Sequence, residues 1–213
     1  MKFGFLRTTG AVLVLATCMT ACAPFLVAGV AGSALVATDR RTSGTQLEDE
    51  TIELRVSAKV RDTFGEKVHV NVTSYNRQVL LTGEVPSEKE RQAVTAIAEK
   101  VENVKSVMNE LTAMPITSLG SRSNDLIVTG KIKATLVDSR DLFANAFKVV
   151  TERNTVYLMG RVTQREADSA TALIRNVNGV NKVVRMFEII SEEELRGLLP
   201  APADKPDADK SKK

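Results

Sequence analysis

Beyond residue 48 the apolar positions form a pattern that occurs twice. Ile52, Val56 and Val60 recur every four residues, and so do Val128, Ile132 and Leu136, so each half is predicted to open with an amphipathic helix. Alternating runs follow. Val68, Val70 and Val72 are set to pair with Val79, Leu81 and the strand end at Gly83, across a turn at Tyr75-Asn76-Arg77. In the second half Phe147 and Val149 lead through a turn at Arg153-Asn154 to Val156 and Leu158. Both segments read as β-hairpins. Ser87-x-x-Glu90 and Thr163-x-x-Glu166 have the form of capping boxes, in which a hydroxyl and a carboxylate satisfy free N–H groups at a helix start. Each begins a second helix, and a last strand covers 107–111 and 183–189. The predicted order in each half is helix, strand, strand, helix, strand, an α+β arrangement.

The halves are copies of one module. Gln78-Val79-Leu80-Leu81-Thr82-Gly83-Glu84-Val85 lies over Thr155-Val156-Tyr157-Leu158-Met159-Gly160-Arg161-Val162 at an offset of 77. With Pro86 as an extra residue, Ser87-Glu88-Lys89-Glu90 lies over Thr163-Gln164-Arg165-Glu166 at 76, and Val101, Val104 and Val107 over Val177, Val180 and Val183 at 76. Agreement of this length is a repeat. The expected organisation is a first module over 49–113, a linker over 114–123 and a second module over 124–190. Each module buries only a modest core, so the two are expected to pack on each other. Residues 191–213 read as a short charged helix end and then a disordered charged tail with Pro200, Pro202 and Pro206 and no aromatics.

The amino-terminal segment follows different rules. Lys2 and Arg7 precede a short apolar run over 10–16, and Met19-Thr20-Ala21 leads to Cys22. A basic start, a short apolar core and small residues before a cleavage point read as a signal peptide over 1–21. With cysteine as the next residue the segment resembles a bacterial lipoprotein signal, which implies acylation, palmitate included, at Cys22. Cys18 fits less well because Thr17 stands where Ala or Gly is preferred. The alternative is an uncleaved anchor, since residues 8–38 carry no charge, although Pro24, Gly29, Gly32 and Ser33 interrupt the run. Ala23 follows Cys22. Enterobacterial sorting retains lipoproteins with Asp at that position, so by analogy this chain goes to the outer membrane and faces the periplasm. Residues 22–48 are then a lipidated stretch followed by a polar linker.

Composition narrows the chemistry. Lys and Arg number 29 against 26 Asp and Glu, a formal charge of +3 that falls to about +1 once Lys2 and Arg7 are removed. That is too little for nucleic-acid binding, and 4% aromatics with no Trp supply no stacking platform. A single histidine, His69, nearly excludes a multi-histidine metal site or a mechanism needing two imidazoles. On strand alternation His69 is expected to be exposed, opposite Val68 and Val70. After processing Cys22 is the only cysteine, so there is no disulfide framework. Glu48-Asp49-Glu50 is expected to favour the dipole at a helix start. Tyr75 at the hairpin tip could meet a partner but requires none.

The pattern hydrophobic-x-Leu-x-Gly-x-Val ahead of a capped helix is carried by Gly83 and Val85 with Val104, and by Gly160 and Val162 with Gly179 and Val180. It resembles the BON domain. The stretch 39–46 and the interdomain Pro115-Ile116, Leu119-Gly120 and Ser123-Asn124-Asp125 are similar to those of dual-BON outer-membrane lipoproteins. The resemblance covers about residues 22–190. It implies two tandem modules, each a three-stranded mixed sheet covered on one face by two helices. It further implies phospholipid binding at the envelope, support of outer-membrane integrity and no catalysis. The residues themselves offer no zinc spacing, phosphate loop or nucleophile elbow, so no cofactor or metal is expected.

Helical-wheel arithmetic locates a surface for that activity. Opposite the stripe of Ile52, Val56 and Val60 stand Arg55, Ser57, Ala58 and Arg61, with Leu54 as the main apolar member. Opposite Val128, Ile132 and Leu136 stand Leu126, Ile127, Gly130, Ala134 and Val137, flanked by Lys131 and Lys133. Apolar groups entering the acyl boundary while ammonium groups meet anionic headgroups is what an interfacial helix needs. The expected ligands are anionic phospholipids such as phosphatidylglycerol and cardiolipin. Burial of the strip against the first module, or against another protein, is the alternative. The competing function is an adaptor for outer-membrane assembly or division-site proteins without lipid recognition.

Overall fold

The computed structural model describes residues 39–116 and 119–198, which lie in one compact unit, Asp39–Lys213. The expected signal peptide, Cys22, Ala23 and the tail from residue 199 lie outside the described residues.

In the first module α1 (Ser43–Phe64) is followed by β1 (His69–Tyr75), β2 (Gln78–Val85), α2 (Glu88–Glu99) and β3 (Ser106–Ala113). In the second, α3 (Leu119–Asp138) is followed by β4 (Lys148–Glu152), β5 (Thr155–Val162), α4 (Gln164–Arg175) and β6 (Lys182–Ile189). A short α5 (Glu192–Leu198) follows. Each sheet has the strand order of the chain, with an antiparallel first pair and a parallel second pair. The fold class is α+β, two tandem mixed sheets with helices on one face of each.

The predicted pairing register is observed, with Val70 opposite Gly83, Val72 opposite Leu81 and Val149 opposite Leu158. Both hairpins turn on two residues of positive φ, Asn76 and Arg77 in one and Arg153 and Asn154 in the other. That geometry matches the right-handed twist of the strands. The helical stripes Ile52/Val56/Val60 and Val128/Ile132/Leu136 are buried against the inward residues of the central strands, Val79, Leu81 and Val85 or Val156, Leu158 and Val162.

The motif glycines have steric causes. A Cβ on Gly83, whose φ is +115°, would lie 2.1 Å from the His69 carbonyl oxygen, and one on Gly160 would lie 2.5 Å from that of Ala146. Neighbouring backbone passes too close for any side chain. At the step before each last strand Gly179 (φ 101°) and its counterpart Asn103 (φ 68°) both take left-handed backbone, the conformation that Gly and Asn tolerate best.

The boundaries of three expected segments move. Residues 39–48 are not linker, because Thr42 accepts the Thr45 N–H at 3.1 Å and starts α1 at Ser43. The linker expected over 114–123 is shorter, since α3 begins at Leu119. Within 191–213, residues Glu192–Leu198 are helical, with Leu195 buried and Glu194 bonded to Arg161 at 2.6 Å. Of the two capping boxes, Thr163 and Glu166 close reciprocally at 3.4 and 3.0 Å. In the other, Ser87 accepts from Lys89 and its hydroxyl meets the Glu90 carboxylate.

Candidate functional site

The two modules meet through the sheet faces that carry no helices. Tyr75 and Leu80 of the first module share a buried cluster with Tyr157, Met159 and Met186 of the second. Polar bonds surround it. Asn71 donates to Glu152 at 3.0 Å, Lys148 to Glu53 at 2.9 Å and Tyr157 to Glu110 at 3.2 Å. Asn76 donates to Glu188, and Arg153 to Thr112. The last two bonds join equivalent positions with the modules exchanged, so the docking has approximate twofold character.

Tyr75 is therefore buried in the interface rather than offered at a hairpin tip. His69, expected to be exposed, is half-buried there, with Nδ1 2.9 Å from the fully buried Glu84 carboxylate. Its strand face is the docking face, which a single-module view leaves open to solvent. Burial and then the charge of Glu110 raise the Tyr157 hydroxyl above its ordinary pKa. Burial likewise raises the Glu152 carboxyl, only partly opposed by the bond from Asn71. Among the described residues no group of three or more His, Cys, Asp or Glu is placed to hold a metal ion.

Back-to-back docking turns the helices outward. On α3, Leu126, Ile127 and Val137 are 74%, 58% and 70% exposed, and Gly130, Lys131, Lys133 and Ala134 are exposed between them. All seven predicted residues thus share an open face, and the first module does not cover it. A Cβ added at Gly130 would meet nothing within 4 Å, so no neighbouring protein atom demands a glycine there. Repeat equivalence sharpens the contrast. Aligning Ile52 with Val128 places Glu50, Thr51 and Arg61 of α1 where α3 has Leu126, Ile127 and Val137. The fold accepts polar residues at these positions, so the apolar strip is not a requirement of folding. The large exposed apolar groups on the matching face of α1 are Leu47 and Leu54, at 66% and 72%, one heptad apart and away from the positions of Leu126, Ile127 and Val137. Among the described residues no helix is long and apolar enough to cross a membrane.

Three features escaped the sequence reading. Asp49 does not serve a helix dipole. It is buried six residues into α1 and accepts from Ser74 Oγ, Asn76 N and Arg77 N at 2.7, 2.8 and 2.7 Å, while pairing with Arg41 at 2.8 Å. The real helix start is earlier, at a Thr42 cap that the acidic run obscured. Arg40 pairs with Glu166 across more than a hundred residues of chain, and Arg153 reaches from its hairpin to the first module. The signal for the docking face was present. Val79-Leu80-Leu81 and Val156-Tyr157-Leu158-Met159 are continuous apolar runs, which mark strands buried on both faces.

Comparison with known proteins agrees with the two-module fold. The BON domain family matches residues 48–115 and again 124–191. Outer membrane lipoprotein DolP of Haemophilus influenzae is 38% identical over 85% of this chain and 93% of its own length. A 21 kDa hemolysin of Actinobacillus pleuropneumoniae is 34% identical over 71% of this chain and 79% of its own. Osmotically-inducible protein Y of Escherichia coli is 28% identical, covering 66% and 72%. The family and the DolP relative point to a non-enzymatic envelope protein. With both modules matched and most of its length aligned to such a relative, the chain belongs to the BON-domain family, in the tandem form carried by outer-membrane lipoproteins.

Proposed function

We propose that this is a lipid-anchored outer-membrane protein, acylated at Cys22, that binds anionic phospholipid through the outer strip of α3 and supports outer-membrane integrity. The supporting observation is the uncovered apolar face of Leu126, Ile127 and Val137 with Lys131 and Lys133 beside it, set against the polar face at the same positions of α1. Full burial of a Leu, Ile or Val side chain gains about 1.5–3 kcal/mol. Each lysine near an anionic surface adds about 1 kcal/mol. Set against the loss of translational and rotational freedom on association, that sum gives weak binding by the helix alone. Acylation changes the problem. Once acyl chains hold the protein at the bilayer, weak contacts become effectively intramolecular, so the anchor supplies residence and α3 supplies recognition.

Co-sedimentation of the unacylated chain Asp39–Lys213 with phosphatidylglycerol vesicles tests this reading. Ile127→Glu with Val137→Glu is expected to abolish binding while leaving the circular dichroism spectrum unchanged, because both side chains are exposed and pack on nothing that holds the fold. Binding that survives the double substitution removes α3 from consideration.

A further inference from the structure

By sequence Arg40 belongs to neither module, yet it is among the most tightly held residues of the chain. Its guanidinium donates to both Glu166 carboxylate oxygens at 2.7 Å, and the two side chains are 3% and 1% exposed. Nη1 also donates to the Arg161 carbonyl at 2.9 Å, and Arg161 returns a 3.0 Å bond to the Arg40 carbonyl. The Phe143 ring centroid lies 5.9 Å from the guanidinium carbon. Arg41 turns to the first module, bonding Asp49 at 2.8 Å and lying 4.2 Å from the Tyr75 ring centroid, while Asp39 closes onto Arg41 at 2.8 Å. Removing two charges from water is unfavourable unless geometry and further hydrogen bonds offset it. A fork-to-fork pair with reciprocal main-chain bonds meets that condition.

Chain connectivity alone attaches the membrane-proximal segment to the first module, because α1 begins at Ser43. The docked arginine moves that attachment to α4 and to Phe143 in the loop that leaves α3. We propose that Arg40, paired with Glu166, is a clasp that fastens the chain arriving from the membrane to the second module, while Asp39 and Arg41 brace it against the first, with Arg40 and Glu166 as positioning residues for lipid engagement by α3. The inference rests on the lipid reading of α3. Its physical content is local concentration: a leash fastened beside the helix it serves presents that helix to the bilayer more often than one fastened to the neighbouring module.

The test uses the full acylated chain in vesicles of phosphatidylglycerol and phosphatidylethanolamine. An environment-sensitive dye is attached through Asp138→Cys, at the exposed end of α3 and outside the strip. The parent protein is expected to show a blue-shifted dye. Arg40→Gln should lower the blue-shifted fraction by at least about threefold, with Arg40→Lys intermediate because it keeps the charge and loses the fork. Glu166→Gln should act like Arg40→Gln, since a glutamine still accepts the Thr163 N–H. In the unanchored chain Asp39–Lys213, where there is no leash to fasten, the same variants should bind vesicles as the parent does. Equal blue shift in parent and variants on acylated protein overturns the clasp and leaves the lipid reading intact. An equal loss with and without the anchor also overturns it, by showing general damage to the second module. A parent without any blue shift removes the lipid reading and the clasp with it.

Discussion

Asp49 and Asp125 hold the two hairpins in the same way. From the first helix of each module a buried carboxylate accepts the N–H groups of both turn residues, Asn76 and Arg77 at 2.8 and 2.7 Å, or Arg153 and Asn154 at 2.8 and 2.9 Å. All four of those residues have positive φ, and the carboxylate satisfies donors that would otherwise be lost beneath the helix. The repeat thus preserves a helix-to-turn latch as well as a hydrophobic pattern.

Removing that latch leaves two backbone donors unsatisfied. Asp125→Ala is expected to destabilise the protein by about 2 kcal/mol in urea unfolding. Asp49→Ala should lose more, because Asp49 also accepts from Ser74 and pairs with Arg41. Equal losses would show that these additional bonds contribute nothing.

Two glycines should respond in opposite directions. Gly83→Ala drives a Cβ into the His69 carbonyl and is expected to destabilise by roughly 3 kcal/mol or prevent folding. Gly130→Ala meets open space and replaces the poorer helix former, so the thermal midpoint should rise by the equivalent of up to about 1 kcal/mol. A lower midpoint for Gly130→Ala would mean that this residue has a role in the folded state that its surroundings do not show.

Two buried carboxylates carry opposite pH signatures. Burial works against ionisation of Glu166, but Arg40 and the Thr163 N–H outweigh it and hold the carboxyl below its ordinary 4.5. Its contribution is present above that value and lost as the pH falls through the lowered one. Burial raises Glu152 above 4.5, so its contribution is greatest in acid and disappears as the pH rises through the raised value. Unfolding measured from pH 2 to 7 should therefore show Glu166→Gln less stable than the parent at neutral pH and Glu152→Gln more stable. Both differences should shrink toward acid.

Much of the fold was legible because its signals are local. Periodicity located the two opening helices, the capping boxes located the two that follow, the turn residues fixed both hairpins, and the duplicated Leu-x-Gly-x-Val identified one module used twice. What was not legible depends on distant partners. Asp39-Arg40-Arg41 reads as a solvated linker until Glu166 and Asp49 are brought to it, and Glu166 alone reads as half of a capping box. Asp49 looked like one of three helix-start acids until the hairpin folded over it. The outer strip of α3 was readable from the wheel, since exposure there follows from helix geometry. That no module covers it required the docking of the two sheets.

Lipid recognition by α3 is tested most directly by backbone amide NMR of the unacylated chain Asp39–Lys213 titrated with phosphatidylglycerol micelles. The expected result is a saturating set of shifts confined to α3, largest around Leu126, Ile127, Lys131, Lys133 and Val137, with the equivalent turns of α1 unmoved. Shifts spread evenly over both modules, or a spectrum that does not change, would contradict a lipid site on this helix.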